Sequence, residues 1–599
     1  MWAIDSIIAV CLPALAIWIL ISGLDDLALD AVLFGNWLVT RRRRSGEELP
    51  PAEPEKPIAV FIPLWREAHV IRRMVEHNLA AIRYDDFRFF IGAYPNDEPT
   101  LEAVRELAAR FPNVHLALCP HAGPTSKADC LNWVYRRMLR YEQDSGTRFA
   151  IVVTHDAEDL IHPLELRWLN HYCGRFGMVQ LPVLPLRMPF LNLTHGVYCD
   201  EFAEYQTKDL PVRGLLGGFI PSNGVGTGYA RWAVEALAAR HDNSIFDPAS
   251  LTEDYENGFR LHELGCPQLF VRIQLLGGEP VATREYFPAR FRQALRQRTR
   301  WVMGNSLQAW QRHGWHGGLR QIYWFWRDRK GLVGNPVSAA ANLILTCGLG
   351  TLAWSRLSGT PWAIGRISGA LPAWALLYGT FFLQLERVAI RSACVARIYG
   401  WRFALGVPAR VLCANWINFF ATVSALAQYA HARVLRRPLA WRKTEHSYPS
   451  QAALAGKKRP LGEVLLRRGL LDAARLAHAL DSQPPGLRLG EYLIELGHLT
   501  AGEVYEALGQ QNNIPFETLA SASVPVRIAR ALPAAVARRW RVLPFRVEAG
   551  TLFIAGPELP GDEIHTDLRR FTSLEVRFHL ITPANFEALA DDLLGRVKQ

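Results

Sequence analysis

The feature that most restricts this chain is a set of long apolar runs with arginines at their ends. Residues 7–22 are uncharged and follow a single charge, Asp5. Without a basic start or a small-residue cleavage site, this run reads as an uncleaved membrane helix rather than a signal peptide. Residues 23–39 carry Asp25, Asp26 and Asp30 among leucines, which predicts an interfacial helix. Arg41 to Arg44 then assign the following chain to the cytoplasm. Runs 333–354 and 362–383 are each long enough to cross ~30 Å of hydrocarbon at ~1.5 Å per residue. Arg327, Arg329 and Lys330 precede this pair and Arg387, Arg391 and Arg397 follow it, so a hairpin with both ends cytoplasmic is expected. The run 411–430 has Arg410 before it, Arg433, Arg436 and Arg437 after it, and Asn415, Asn418 and Gln428 inside. That pattern favours an interfacial or re-entrant helix over a third crossing.

At 599 residues the chain exceeds what one core supports. The composition shifts suggest a membrane segment (1–45), a large α/β domain (46–318), interfacial and hairpin helices (319–440), a linker (441–456) and a C-terminal module (457–599). Half the residues are hydrophobic and 21% are charged, which excludes a disordered chain. The nine cysteines are scattered and never spaced C-x-x-C, so neither a disulfide framework nor a cysteine zinc site is written and a reducing compartment fits. The net charge of +11 collects in 41–44 and 433–443, beside apolar runs. It therefore reads as membrane-surface charge and not as a nucleic-acid footprint.

Between residues 57 and 318 short apolar runs at 58–63, 87–94, 114–118 and 149–154 alternate with helical periodicity, an α/β layout of buried parallel strands. No G-x-G-x-x-G or P-loop follows the first strand. Carboxylates stand at the strand ends instead: Glu67 after the first, Asp97 after the second, and His155-Asp156-Ala157-Glu158-Asp159 after the fourth. Ligands of open α/β sheets bind beyond those ends, so the acids should converge and require a cation. Asp156 and Glu158, two apart, suit a hard divalent ion, Mg²⁺ or Mn²⁺, that also bridges a diphosphate. Taken alone, such acids equally well cap the next helix.

Two further signatures follow, Thr252-Glu253-Asp254 at a helix start and Gln297-Arg298-Thr299-Arg300-Trp301 in a basic helix. Together with Pro63-to-Glu67, Asp97 and Lys127-Ala128-Asp129-Cys130-Leu131-Asn132, the set resembles processive family 2 glycosyltransferases of the cellulose, hyaluronan and poly-N-acetylglucosamine synthase type. The resemblance covers about residues 57 to 305. It departs at the second D-x-D acid, which is Glu158 with Asp159 beside it, leaving open which of the two meets the metal. The wider arrangement, including a predicted loop at Trp326-Arg327-Asp328-Arg329-Lys330-Gly331, is similar to the bacteriophage adsorption protein B family.

This resemblance implies a GT-A-type α/β glycosyltransferase domain with transmembrane helices, in the bacterial inner membrane, polymerising a UDP-sugar. Asp254 would be the catalytic base, Asp156 and Glu158 would hold the metal, and Glu67 and Asp97 the uridine part. Lys127 and Asp129 would meet the nucleotide and donor, with Glu253 beside them, and Gln297, Arg300 and Trp301 the pyrophosphate and acceptor sugar. Partners implied are a nucleotide-sugar donor, a growing glycan, the membrane and an export partner in the periplasm or outer membrane. The rival reading is a catalytically spent membrane receptor or assembly platform used in phage adsorption. A glycoside hydrolase is a weaker rival, since two carboxylates suffice there.

The C-terminal module opens with an internal repeat. Leu461, Gly462, Leu465, Gly469, Leu476 and Gln483 recur, 28 residues on, as Leu489, Gly490, Leu493, Gly497, Val504 and Gln511. Alone this is two helical hairpins with a common core pattern. It resembles the tandem cyclic-di-GMP-binding motif of type II secretion and pilus ATPases, with residues from about 524 onward completing a small α+β subdomain. By that resemblance Arg488, Leu489, Gly490, Leu493 and Gln511 form one half-site for an allosteric activator, cyclic-di-GMP. Arg459, Leu461, Gly462, Leu465 and Gln483 form the other, although Pro460 stands where its arginine is expected.

Overall fold

The computed structural model describes residues 2–40, 50–51, 53–276, 278–362, 371–436, 460–512, 514–548, 551–560, 562–568, 571–572 and 574–595. Arg41 to Arg44, the linker 441–456 and Arg459 lie outside the described residues. The chain divides into two compact units, 1–72 with 84–448 and 449–599 with 73–83.

The first unit is built on a seven-stranded sheet. Its strands are β1 (Ile58–Pro63), β2 (Phe87–Ala93), β3 (Val114–Leu118), β4 (Ile151–Thr154), β5 (Met178–Gln180), β7 (Thr227–Ala230) and β8 (Gln268–Phe270), with β6 (Val183–Pro185) outside it. The order is β3-β2-β1-β4-β7-β5-β8. The first four strands run parallel, in registers such as Ile58↔Phe87 and Phe61↔Thr154, and β7 is antiparallel to both neighbours. Because these strands are covered on both faces, they read as continuous apolar runs: Ile58 to Ile62 are all fully buried. Phe61, Phe90, Leu131, Phe149 and Tyr229 meet in one core with residues of the Lys127–Ser145 helix. Glu67, Asp97, Asp156 and Glu158 follow the carboxyl ends of β1, β2 and β4, while Asp129, Glu253 and Asp254 lie in the first turns of helices.

One continuous helix, Trp2–Thr40, replaces the expected span followed by an interfacial segment. The reason is long-range. Asp25 and Asp26 pair with Lys330 at 2.8 and 2.9 Å and with Arg327, and Asp30 lies 3.2 Å from Lys208. Carboxylates answered by buried cations need no headgroup layer, so the helix continues and docks on the α/β domain. The expected loop at 326–331 is likewise the end of a helix, Leu319–Arg329, because Trp324 and Phe325 anchor it in the core. Asp328 there is gripped by Arg213 at 2.8 and 3.0 Å and by the Tyr255 hydroxyl at 2.6 Å.

Among the described residues, three helices are long and apolar enough to cross a membrane: Ile7–Thr40, Gly331–Ser358 and Val407–Val434. The second arm of the expected hairpin lies partly outside the described residues and is helical from Leu371 to Tyr399. The run expected to be interfacial thus belongs to a helix that meets the length and composition of a span. One face of it is nevertheless buried on the α/β domain, through Arg410, Ala414, Ile417, Ala421 and Ala425, while Trp416, Phe420 and Val423 are exposed. Arg410 is fully buried and donates to both oxygens of Asp200, at 2.7 and 2.8 Å.

The second unit begins with the repeat as four short helices, Leu461–Arg467, Ala473–Ser482, Leu489–Glu495 and Ala501–Asn512, around a core containing Leu465, Ala479, Leu493 and Val504. A three-stranded sheet follows, Leu543–Glu548, Thr551–Gly556 and Glu575–Leu580, closed by the Pro583–Leu593 helix.

Candidate active site

The turn after β1 is shaped by Arg66, which sits in the left-handed region at φ +57°. Its N–H donates to Asp97 Oδ2 at 2.5 Å, and the N–H of Glu67 donates to Thr100 Oγ1 at 3.1 Å. Asp97 therefore stands behind the cavity wall holding the turn, while Trp65 and Glu67 face the cavity. Trp65 meets Tyr94 edge-on at 5.5 Å. Tyr94 hydrogen-bonds Thr125 at 2.7 Å, and Thr125 donates to Asp129 Oδ2 at 2.7 Å. Asp129 is thus a brace for a cavity-lining loop and itself lines a neighbouring cavity with Thr125, Ser126 and Gln308.

Lys127 opens its helix directly after the cap Ser126 and reaches across the cavity. Its Nζ is 2.6 Å from Asp156 Oδ1 and 3.8 Å from Glu253 Oε1. Burial works against this ammonium, but Asp156 and Glu253 outweigh it and hold its pKa above the ordinary lysine value. Glu158 and Asp159 differ in placement. Asp159 is fully buried and committed, accepting from the Asp156 N–H at 2.9 Å with His155 Nδ1 at 2.8 Å. Glu158 lines the cavity beside Asp156. His155 lies between Asp159 and Glu165, the latter 2.9 Å from Nε2. Burial opposes its charge, yet the two carboxylates lift its pKa to about 10, while burial lifts Asp159 to about 6.

Glu253 and Asp254 begin the Glu253–Glu263 helix and both face the cavity. Burial raises Glu253 to about 7 and raises Asp254 as well, against the pull of Lys127. Asp254 Oδ1 accepts from the N–H of Tyr255 at 2.8 Å, leaving Oδ2 toward the Ser222-to-Gly226 loop. Gly224 is required there: at φ +80°, a Cβ would lie 2.8 Å from Asp254 Oδ2.

The Phe291–Trp301 helix presents Gln297, Arg300 and Trp301 to the cavity and turns Arg298 away. Arg298 donates to Glu201 and Asn418, both at 2.6 Å, and stacks 4.3 Å from the Tyr198 ring. Trp301 leans edge-on against Tyr198 at 6.0 Å. The cavity holds about 550 Å³ and extends from Trp65 past Asp254 and Trp301 to a charged end at Glu204, Asp209, Arg327 and Arg391. Glu285, at the end of the short strand Thr283–Glu285, also lines it. Burial, then Asp159, Glu158 and Asp156, push its carboxyl well above the usual range.

The chain is 38% identical over 568 residues to bacteriophage adsorption protein B of Escherichia coli (strain K12), covering 91% of this chain and 76% of that protein. It belongs to the bacteriophage adsorption protein B family. The family's second match, bacteriophage N4 adsorption protein B of Escherichia coli O157:H7, gives the same values. Residues 54–304 match the glycosyltransferase-like family 2 model, and residues 512–599 the MshEN domain. This member of the family is accordingly a glycosyltransferase of the GT-A-like class. Among solved structures it is similar to the mannosyltransferase PcManGT from Pyrobaculum calidifontis in complex with GDP-Man and Mn²⁺ (17% identity, 69% of this chain, 99% of that one, TM-score 0.40). It is also similar to MshE with cdg (28%, 23% of this chain, 99% of that one, TM-score 0.21).

In this family member's repeat, Gly462 and Gly490 serve packing. A Cβ on Gly462 would meet Leu476 at 2.8 Å, and one on Gly490 would meet Val504 at 2.8 Å. Leu465 and Leu493 are fully buried in the helical core, whereas Leu461 and Leu489 are only partly covered. Arg488 is exposed at its helix start, with its N–H donating to Glu491 at 3.2 Å. Gln483 donates to the Leu487 carbonyl, and Gln511 is half-buried. Leu465 and Leu493 thus face the helical core, and Arg488 faces outward.

The residues missed by motif reading are Glu285, His155 and Glu165. Glu285 carries the same strand-end signal as the other acids, but its strand is three residues long with Arg284 in the middle, too short to register as a period.

Proposed function

We propose that this protein is an inverting, inner-membrane glycosyltransferase that polymerises a UDP-sugar, a UDP-N-acetylhexosamine in our reading, into a secreted polysaccharide under cyclic-di-GMP control. The observation that carries the reading is one cavity that gathers Lys127, Asp156, Glu158, Glu253, Asp254, Gln297, Arg300 and Trp301. Asp254 is the general base. It is half-buried, faces the cavity and carries a raised pKa, so it takes the proton from a sugar hydroxyl attacking the anomeric carbon. Direct attack inverts that carbon. Trp301 offers its ring to the acceptor sugar, and Arg300 and Lys127 meet the donor's phosphates.

A divalent cation fits Asp156 and Glu158. Both face the same cavity and offer hard carboxylate oxygens, so they suit an ion completed by diphosphate oxygens. When bound, Mg²⁺ or Mn²⁺ offsets the negative charge that develops on the departing nucleoside diphosphate. Cyclic-di-GMP control is supported by the 28-residue repeat and the MshEN match, and an export partner in the cell envelope would receive the chain. Release of UDP from a panel of UDP-sugars by the full-length protein in membranes, with and without cyclic-di-GMP, tests the reading. Release from one sugar, increased by cyclic-di-GMP, is expected; none from any sugar would leave a receptor or assembly platform.

A further inference from the structure

Beneath the turn that carries Asp156 and Glu158 lies a buried polar chain. Asp159 Oδ2 accepts from the Asp156 N–H at 2.9 Å and meets His155 Nδ1 at 2.8 Å. His155 Nε2 is 2.9 Å from Glu165 Oε1, and Glu165 Oε2 accepts from Thr283 Oγ1 at 2.9 Å. Thr283 begins the short strand that ends in Glu285. The same two segments are clamped by backbone bonds, Leu160 N to Arg284 O at 2.8 Å and Arg284 N to Leu160 O at 3.0 Å. His155, Asp159 and Thr283 are completely shielded, and Glu165 is 1% exposed.

We propose that His155 is the positioning residue of the metal-facing turn: held between Asp159 and Glu165, it fixes the Asp156-Ala157-Glu158 turn against the strand that carries Glu285 into the cavity. The inference rests on the metal reading of Asp156 and Glu158 given above. Histidine suits the task because its two ring nitrogens point in opposed directions, Nδ1 toward Asp159 and Nε2 toward Glu165. A glutamine has donors on one end only. Asp159 alone does not hold the turn, since a buried carboxylate among Asp156, Glu158 and Glu285 needs a partner to stay in place. His155 itself touches neither cavity nor ligand; it acts through Asp159.

The test is calorimetry of UDP binding to full-length, detergent-solubilised protein with and without MnCl₂, comparing the parent with His155→Gln. The parent should bind UDP more tightly with Mn²⁺. In folded His155→Gln the metal-free affinity should persist, while the Mn²⁺-dependent gain falls at least about tenfold, the scale expected for loss of an outer partner of a metal ligand. A purely structural role would lower both affinities or neither. If His155→Gln does not fold, Glu165→Leu decides in the same assay, because it keeps much of the side chain's volume and leaves no polar atom facing the imidazole. An undiminished gain in the folded variant overturns the inference and leaves the metal reading standing. A parent protein with no Mn²⁺-dependent gain removes both.

Discussion

At the residue scale, the site depends on a few side chains being in a particular charge state. Asp254 must be ionised to act as a base, and burial raises its pKa. A raised carboxyl pKa means the base fills with protons at higher pH than usual, so turnover should fall as pH drops through that raised value. The acid limb of the kcat profile should therefore lie above the usual carboxylate value of about 4; a limb at the ordinary value would contradict the assignment. Asp156→Ala removes one oxygen ligand and the partner of Lys127. It should abolish most of the Mn²⁺-dependent gain in UDP affinity, and equal UDP affinity in EDTA and in Mn²⁺ for the parent would refute the metal site. Glu67, Lys127 and Asp254, which the resemblance to family 2 glycosyltransferases singles out, are all brought by the fold to one cavity. Asp97 and Asp129, named by the same motifs, stand beside it, where their carboxylates accept from the Arg66 N–H and the Thr125 hydroxyl, contacts that the motifs do not write.

At the scale of elements, what sequence reading missed are contacts between residues far apart. Asp25, Asp26 and Asp30 read locally as a polar interruption, and only the cations at 208, 327 and 330 reveal why the Trp2–Thr40 helix continues through them. Glu285 is brought to the site by pairing of its strand with β6, which a three-residue segment does not announce. The strands of the parallel sheet, by contrast, were legible because burial on both faces forces unbroken apolar runs. The Val407–Val434 helix is tied down by Arg410 and Asp200, and Arg410→Leu would leave Asp200 buried without its cation. A loss of about 3–5 kcal/mol in unfolding free energy is expected, with most of it regained in Arg410→Leu/Asp200→Leu. An unchanged unfolding midpoint in the single variant would show that the pair does not anchor the helix.

At the scale of the whole molecule, a membrane-attached glycosyltransferase unit and a repeat-bearing C-terminal unit share one chain. Control requires only that cyclic-di-GMP favour one state over another, and a tenfold change in activity needs about 1.4 kcal/mol of differential binding. Calorimetry on the full chain should show cyclic-di-GMP binding that weakens in Arg488→Ala; undiminished binding in that variant would remove Arg488 from the ligand site. The central claim is that the cavity transfers a glycosyl group with Asp254 as its base. Its most direct test measures UDP binding and UDP release side by side for the parent and Asp254→Asn, since the amide keeps the shape and loses the base. The account predicts UDP affinity close to the parent's and release reduced by about 100- to 10,000-fold; release within about tenfold of the parent, with UDP still bound, would contradict it.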